Sequence, residues 1–285
     1  MILSFHPCIV GDLQIILGSR GLEASDIKLI KKADAVILPQ ACPKKLWEIC
    51  SQNCPNLFPN YSLRYRYEGK IGQAKLFKEL QVPHPTTRIW ESMVHYEEGM
   101  HRSGTPPHPF PFYLKANASH EGSGVFFVEG AEAHKRALGV LKQYEKSGQR
   151  GFVSQEAIDC GGRVLRAVII GKKIITYWKC ALDESQKIIT ISRGAKIDVW
   201  WGRDLQKKAE TKVRAFSRLT GINLGALDLL FEVKDQSSVP LFLEINYYFG
   251  RRGLGDSEAF YRLLLEGVRE WLRDLGLDSK RVRLA

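Results

Sequence analysis

Three oxygen-bearing side chains near the C-terminus, Asp228, Glu244 and Asn246, lie within two apolar runs. The first reads Gly225-Ala226-Leu227-Asp228-Leu229-Leu230-Phe231 and the second Pro240-Leu241-Phe242-Leu243-Glu244-Ile245-Asn246. Both have strand composition, and Gln236-Ser237-Ser238 supplies the turn between them. Glu244 and Asn246 are two apart and share a side of the pleat, so neighbouring strands can present all three residues on one face. Hard oxygen donors at that spacing suit Mg²⁺, which takes few protein carboxylates and keeps its other positions for water and phosphate. A carboxylate buried unpaired among Leu and Phe is costly or takes up a proton, so the two acids need a partner. A metal is the simplest one; ordinary polar residues near a turn are the alternative.

Upstream, Tyr113-Leu114-Lys115 is followed by Gly122-Ser123-Gly124-Val125. A strand lysine can meet phosphate oxygens as a point charge, and successive N–H groups of a Gly-rich turn cradle an anion. The same Gly-Ser-Gly also fits a plain hairpin turn. It is neither a Walker A loop nor a dinucleotide fingerprint, because no Gly-Lys-Ser/Thr follows and no helix opens directly after it. Hydrolase chemistry has no support: Gly-x-Ser-x-Gly is absent, and the seven histidines, three of them (His6, His84, His108) beside Pro, lack a convincing partner.

The elements that must position these residues follow from the pattern. A chain of 285 residues is long enough for two or three lobes. Its 44% hydrophobic and 26% charged content is that of an ordinary soluble protein. No apolar run approaches the roughly 20 residues of a membrane span, and the start lacks a basic, long apolar leader, so a cytoplasmic protein with no membrane partner is expected. The six cysteines are then expected as reduced thiols; Cys50 and Cys54 share a helical spacing, but no second pair completes a zinc site. The formal net charge of +11 calls for an anionic partner: nucleic acid, a phosphorylated cofactor or acidic substrates. Lys and Arg are dispersed, with no basic arm or nucleic-acid signature, which favours a phosphate cleft over nucleic acid.

Strand-like runs at 2–5 and 35–38 alternate with helices ending near Lys32 and spanning 44–51, an α/β arrangement with a small parallel sheet. Residues 72–80 form a helix stopped by Val82-Pro83-His84-Pro85. Runs at 112–115 and 125–128 make a hairpin around the loop 117–124, a helix covers 131–146 and a strand 152–155. Strands at 164–170 and 173–178 flank a tight turn at Gly171. A helix over 202–219 is closed by Gly221. The last segment is an amphipathic helix with one apolar position occupied by Gly267.

This order of motifs resembles the ATP-grasp superfamily, and within it the ribosomal-protein glutamate ligase-like and D-alanine–D-alanine ligase-like carboxylate–amine ligases. The matching stretches are Glu68-Gly69-Lys70 with Val82-Pro83-His84-Pro85-Thr86, the Lys115 strand with its Gly-rich loop, Val153-Ser154-Gln155-Glu156, Arg166-Ala167-Val168-Ile169-Ile170-Gly171, and the two acidic strands. The resemblance implies an α/β (α+β) ATP-grasp fold: an N-terminal α/β lobe over 1–67, a central lobe with the Gly-rich loop over 68–155, and a C-terminal lobe with the metal site over 156–285. ATP would lie between two antiparallel sheets. Lys70 and Lys115, with the loop Gly122, Ser123 and Gly124, would contact its phosphates. Gln155 and Glu156 would read the adenine edge and ribose. Asp228, Glu244 and Asn246 would hold one or two Mg²⁺. Arg166 would face the transferring phosphate, with Lys179 as a second cation.

The implied reaction is ATP- and Mg²⁺-dependent carboxylate–amine ligation through an acyl phosphate, on an amino acid, a small peptide or a protein terminus. Several positions depart from the pattern. Val164 stands where an acidic residue precedes the arginine, Asn246-Tyr247-Tyr248-Phe249-Gly250 replaces Asn-x-x-Pro-Gly, and Thr190 replaces an Asn ahead of Arg193-Gly194. Arg251 and Arg252 are candidates for a substrate carboxylate, or are solvated surface arginines. Two other functions fit the residues: nucleotide binding without catalysis, and a basic RNA-associated protein whose affinity falls steeply with salt.

Overall fold

The computed structural model describes residues 1–118, 122–235 and 237–285. Residues 119–121 of the Gly-rich loop and Gln236 of the turn between the acidic strands lie outside the described residues.

The chain begins with β1 (Ile2–Ser4), β2 (Ile9–Val10), β3 (Leu13–Gln14), α1 (Ala24–Lys32), β4 (Ala35–Ile37), α2 (Lys44–Asn53) and β5 (Leu57–Phe58). Ile2-Leu3-Ser4 and Ala35-Val36-Ile37 are buried along their whole length, as strands covered on both faces must be. They form the parallel sheet β3-β1-β4-β5.

Next come α3 (Ser62–Arg66), α4 (Gly69–Glu79), β6 (Thr87–Trp90), α5 (Met93–Ser103), β7 (Phe112–Ala116), β8 (Val125–Val128), α6 (Ala131–Lys146) and β9 (Phe152–Glu156). The expected hairpin is the antiparallel pair β7–β8, inside the sheet β6-β9-β7-β8. Trp90, Tyr96, Phe112, Leu114, Val128, Leu141 and Phe152 give this lobe a core of its own.

The rest comprises β10 (Arg163–Ile170), β11 (Lys173–Cys180), β12 (Lys196–Asp198), α7 (Arg203–Thr220), β13 (Leu224–Leu230), β14 (Leu241–Asn246), α8 (Ser257–Asp274) and β15 (Arg283–Leu284). Antiparallel β12-β11-β10-β13-β14 is its sheet. One face carries α7, whose Ala209, Val213 and Phe216 share a core with Leu165, Leu227 and Leu229. The buried face of α4, Leu76 and Phe77, joins the same core, although the sequence groups α4 with the central lobe. The opposite face meets α8 and the N-terminal sheet in another core that includes Ile2, Ile37, Val168, Ala226, Leu264 and Val268. The N-terminal and C-terminal lobes therefore share hydrophobic packing, whereas the central core is separate.

The glycine in the apolar stripe of α8 has a packing reason. The β10–β11 turn crosses the helix there, and a Cβ on Gly171 would lie 2.9 Å from the Cα of Gly267. Gly171 also has φ +60°, so the turn needs glycine twice over. Gly221 closes α7 in the left-handed conformation as expected. Among the described residues no helix is long and apolar enough to cross a membrane.

Candidate active site

The register of the C-terminal sheet aligns the charged residues. Arg166 of β10 stands opposite Asp228 of β13, which stands opposite Glu244 of β14. Lys179 pairs with Val164 and Asn246 with Ala226, each two positions along on the same face. Directly opposed residues share a face in antiparallel pairs, so the five form one polar patch.

Asp228 is the centre of that patch and is buried. Arg166 grips it with two hydrogen bonds, Nε to Oδ1 at 2.8 Å and Nη2 to Oδ2 at 2.9 Å, and Lys179 Nζ donates to Oδ2 at 2.8 Å. Asn246 Nδ2 lies 3.4 Å from the same oxygen. Burial opposes ionisation of Asp228, but the Arg166 and Lys179 charges overcome it and hold the carboxyl well below the usual range. Burial lowers Lys179, with the Asp228 charge pulling the other way. Asp228 thus finds its partners in two cations, so a metal is not required to compensate it, contrary to the simplest reading of the sequence. Glu244 is less enclosed and pairs with Lys70 at 3.3 Å.

The central lobe supplies the facing wall. Lys115 is buried on β7, and its Nζ donates to Oε1 of Gln155. Gln155 Nε2 in turn donates to Thr87 Oγ1 at 2.8 Å. Burial, with the Lys70 charge beside it, pushes Lys115 down to about 7 against the pull of Glu244 and Asp228. Gln155 and Glu156, expected at the adenine edge and ribose, have their side chains engaged within this lobe. The Glu156 carboxylate accepts from Thr86 N at 2.5 Å; Gln155 and Glu156 both line the cleft.

Asn117 carries no motif, yet it joins the two walls. Its backbone carbonyl accepts from Lys70 N at 3.1 Å and its side-chain oxygen from Ile71 N at 3.0 Å, which satisfies the first turn of α4. Gly69, at φ +67°, lets the chains approach; a Cβ there would overlap the Asn117 side chain. Gly69→Ala is expected to cost about 1–3 kcal/mol, read by urea unfolding. An unchanged midpoint would show that this contact does not hold α4. Gln73 clamps β14 from the other side, exchanging hydrogen bonds of 2.8 and 2.9 Å with the backbone of Ile245. Helix signals can flag Asn117 and Gln73 as polar; only tertiary contacts give them these tasks.

The described part of the Gly-rich loop closes onto the C-terminal lobe. Gly122 and Gly124 have φ +75° and +63°. Arg193 Nη2 donates to the Gly122 carbonyl at 3.0 Å, and Tyr113 Oη donates to the Lys187 carbonyl at 2.8 Å. Gly122 and Thr190 line a cleft of about 110 Å³ with Val125, Ile158, Val164 and Leu243, which also receives Lys115, Lys179, Asp228 and Glu244. Ser123 lies in the same loop. Arg251 is stacked on Phe260 and Tyr261 at 4.8 and 4.5 Å, and Arg252 is exposed.

Chemically, four basic side chains (Lys70, Lys115, Arg166, Lys179) face two carboxylates, and apolar walls flank them. That excess of positive charge favours an anion in the cleft. Glu244 and Asn246 put hard oxygen donors on one face, a set that would suit Mg²⁺ because this ion takes one or two carboxylates and completes its shell with water and phosphate, while both oxygens of the neighbouring Asp228 are engaged by Arg166 and Lys179. No group of three or more His, Cys, Asp or Glu arranged to hold a metal occurs among the described residues.

A parallel N-terminal sheet ahead of two antiparallel sheets, with lysines and acids meeting between them, is the ATP-grasp fold, and the chain has it. The chain is similar to the D-alanine–D-alanine ligase of Bacillus anthracis complexed with ATP: TM-score 0.60 and 16% identity over 93% of this chain and 86% of that one. A RimK domain ATP-grasp protein of Sphaerobacter thermophilus gives TM-score 0.56 and 15% identity over 81% and 80%. In sequence, a probable alpha-L-glutamate ligase of Syntrophotalea carbinolica is 25% identical over 144 residues, which is 50% of this chain and 44% of that protein. The match therefore spans less than half the length of that curated relative. No protein-family model matches the chain.

Proposed function

We propose that this protein is an ATP- and Mg²⁺-dependent carboxylate–amine ligase, working in the cytoplasm on an amino acid, a small peptide or a protein terminus. The observation that carries the reading is the convergence of Lys70, Lys115, Arg166 and Lys179 on Asp228 and Glu244 between two sheets. A substrate carboxylate oxygen attacks the γ-phosphorus of ATP, giving an acyl phosphate and ADP. An amine then attacks the acyl carbon and expels phosphate. Phosphoryl transfer depends on positioning and charge neutralisation more than on a protein nucleophile. Lys70 and Lys115 approach the phosphates from the central side, and Arg166 and Lys179 from the C-terminal side. Mg²⁺ held by Glu244, Asn246 and Asp228 would neutralise charge on the phosphates. The hydrophobic walls strengthen each of these interactions by excluding water.

The test is thermal unfolding with a non-hydrolysable ATP analogue and Mg²⁺, against the same analogue in EDTA, followed by assays of ADP release with amino acids as acceptors. Ligand at about 100 times its dissociation constant should add about 2.7 kcal/mol, several degrees for this size of protein. No shift in either condition rejects the reading. Lys115 adds a pH signature. Above about pH 7 it is largely neutral, and an incoming phosphate must restore its proton, so binding at about pH 8 should take up close to one proton and binding at about pH 6 much less. Calorimetry in two buffers of different ionisation enthalpy measures the uptake; equal uptake at both pH values would remove Lys115 from the phosphate site.

A second reading, nucleotide binding without ligation, draws on the closure of Asp228 by Arg166 and Lys179. It anticipates the Mg²⁺-dependent shift but no ADP with any acceptor.

A further inference from the structure

Glu244 lines a second, larger pocket of about 340 Å³ on the side of α3 and α4, bounded by Arg64, Lys70, Asn246 and the rings of Tyr65, Tyr67 and Tyr248. Its volume is at the lower end of the range for small-molecule sites. The charges around it cancel in pairs except for one. Lys70 meets Glu244, and Glu68 meets Lys44 at 2.7 Å. Arg64 has no carboxylate partner among the described residues.

Arg64 is nonetheless held in place. Its guanidinium lies 4.8 Å from the Tyr61 ring, 5.1 Å from Tyr65 and 6.0 Å from Tyr247. Nη1 donates to the Gln40 carbonyl at 3.1 Å, which also accepts from Tyr61 Oη at 3.0 Å. Tyr65 is itself anchored, by the Cys42 carbonyl and by Trp47 at 4.8 Å. A packed arginine with no acid among the described residues is suited to a planar anion bound by two parallel hydrogen bonds. Its immobilisation means that little side-chain entropy is lost when the anion arrives.

Resting on the ligase reading above, we propose that this pocket holds the acid substrate as a compact dicarboxylate. One carboxylate is fixed by Arg64, and the other lies at the Lys70–Glu244 end, where the phosphoryl group is transferred. Tyr247, beside the Arg64 guanidinium, and Tyr248 are then specificity elements that support Arg64 and wall the pocket. The one-sided placement of Arg64 orients the substrate, so only the distal carboxylate reaches the phosphate.

Calorimetry on the full chain tests this with L-glutamate and glutarate as probes and butyrate as the monocarboxylate control. The expected result is at least tenfold tighter binding of both dicarboxylates than of butyrate. Arg64→Leu should abolish that preference, and Arg64→Lys, which keeps a charge but loses the planar fork, should weaken it severalfold. The ATP analogue with Mg²⁺ should bind all three proteins alike. Equal binding of dicarboxylates and butyrate by the wild type overturns the inference, as does a preference that survives Arg64→Leu; nucleotide binding then leaves the ligase reading standing. An Arg64-dependent preference without nucleotide binding would keep the pocket and reject the ligase. Should Arg64→Leu not fold, Arg64→Lys carries the same comparison.

Discussion

Asp228→Asn is expected to destabilise the protein by about 3–5 kcal/mol, because it leaves the buried Arg166 and Lys179 facing each other without the charge that compensates them. The side chains of Asp228, Arg166 and Lys179 are only 7%, 13% and 4% exposed, so water can do little to relieve the repulsion. A loss of that size is a large part of the stability of an ordinary protein. Urea unfolding measures it. The double variant Asp228→Asn, Lys179→Met should recover much of the loss, since it removes one of the stranded cations. A single-variant cost below about 1 kcal/mol would contradict the buried ion network. The pH dependence has a definite sign. The folded carboxyl titrates below its unfolded range of about 3.9, so its contribution is fully present above that range and is lost as pH falls beneath it. Wild-type stability should therefore fall more steeply than that of Asp228→Asn when the solution is acidified below about pH 4.

Glu244→Gln is expected to show the opposite division between stability and activity. Glu244 is 29% exposed and, among the described residues, its one ion pair is with Lys70, so its charge should contribute less than about 1 kcal/mol to folding. As the more accessible oxygen donor beside Asn246, it should matter far more to the reaction. Losing an electrostatic element that acts on the transferring group commonly costs a factor of about 10²–10³ in turnover. The variant should melt within a degree or two of wild type, lose the Mg²⁺-dependent part of the nucleotide shift, and form ADP at least about a hundredfold more slowly. Full activity in Glu244→Gln would remove Glu244 from the metal set. A folded, inactive Glu244→Gln beside an unstable Asp228→Asn would separate the two acids into a reactive one and a structural one.

Much of the architecture was legible because local rules dictate it. The apolar runs around Asp228 and Glu244, the turn at Gly171, the Gly221 cap of α7 and the stripe on α8 each depend on neighbours in sequence. The hole in that stripe at Gly267 was visible but unexplained until the β10–β11 turn was seen crossing it. Asn117, Gln73 and Thr87 left no signal, since an amide or hydroxyl in a loop or helix looks the same whether it bonds to water or to a distant backbone. Arg251 draws attention in the sequence by its place after the acidic strand; in the structure it stacks on Phe260 and Tyr261, and the arginine that lines the pocket beside Glu244 is Arg64, far upstream.

Local rules suffice for the side-chain types of the candidate site, their order and the elements that carry them: lysines on β7 and at the start of α4, an arginine on β10, acids on β13 and β14. Strand periodicity also determined that Glu244 and Asn246 share a face. Who meets whom is a matter of tertiary packing: Arg166 and Lys179 on Asp228, Lys70 on Glu244, Lys115 on Gln155, and Arg64 without an acid among the described residues. The physical reason is that backbone propensity acts over a few residues, whereas charge compensation and desolvation depend on distances of a few ångströms between segments from 40 to 174 positions apart.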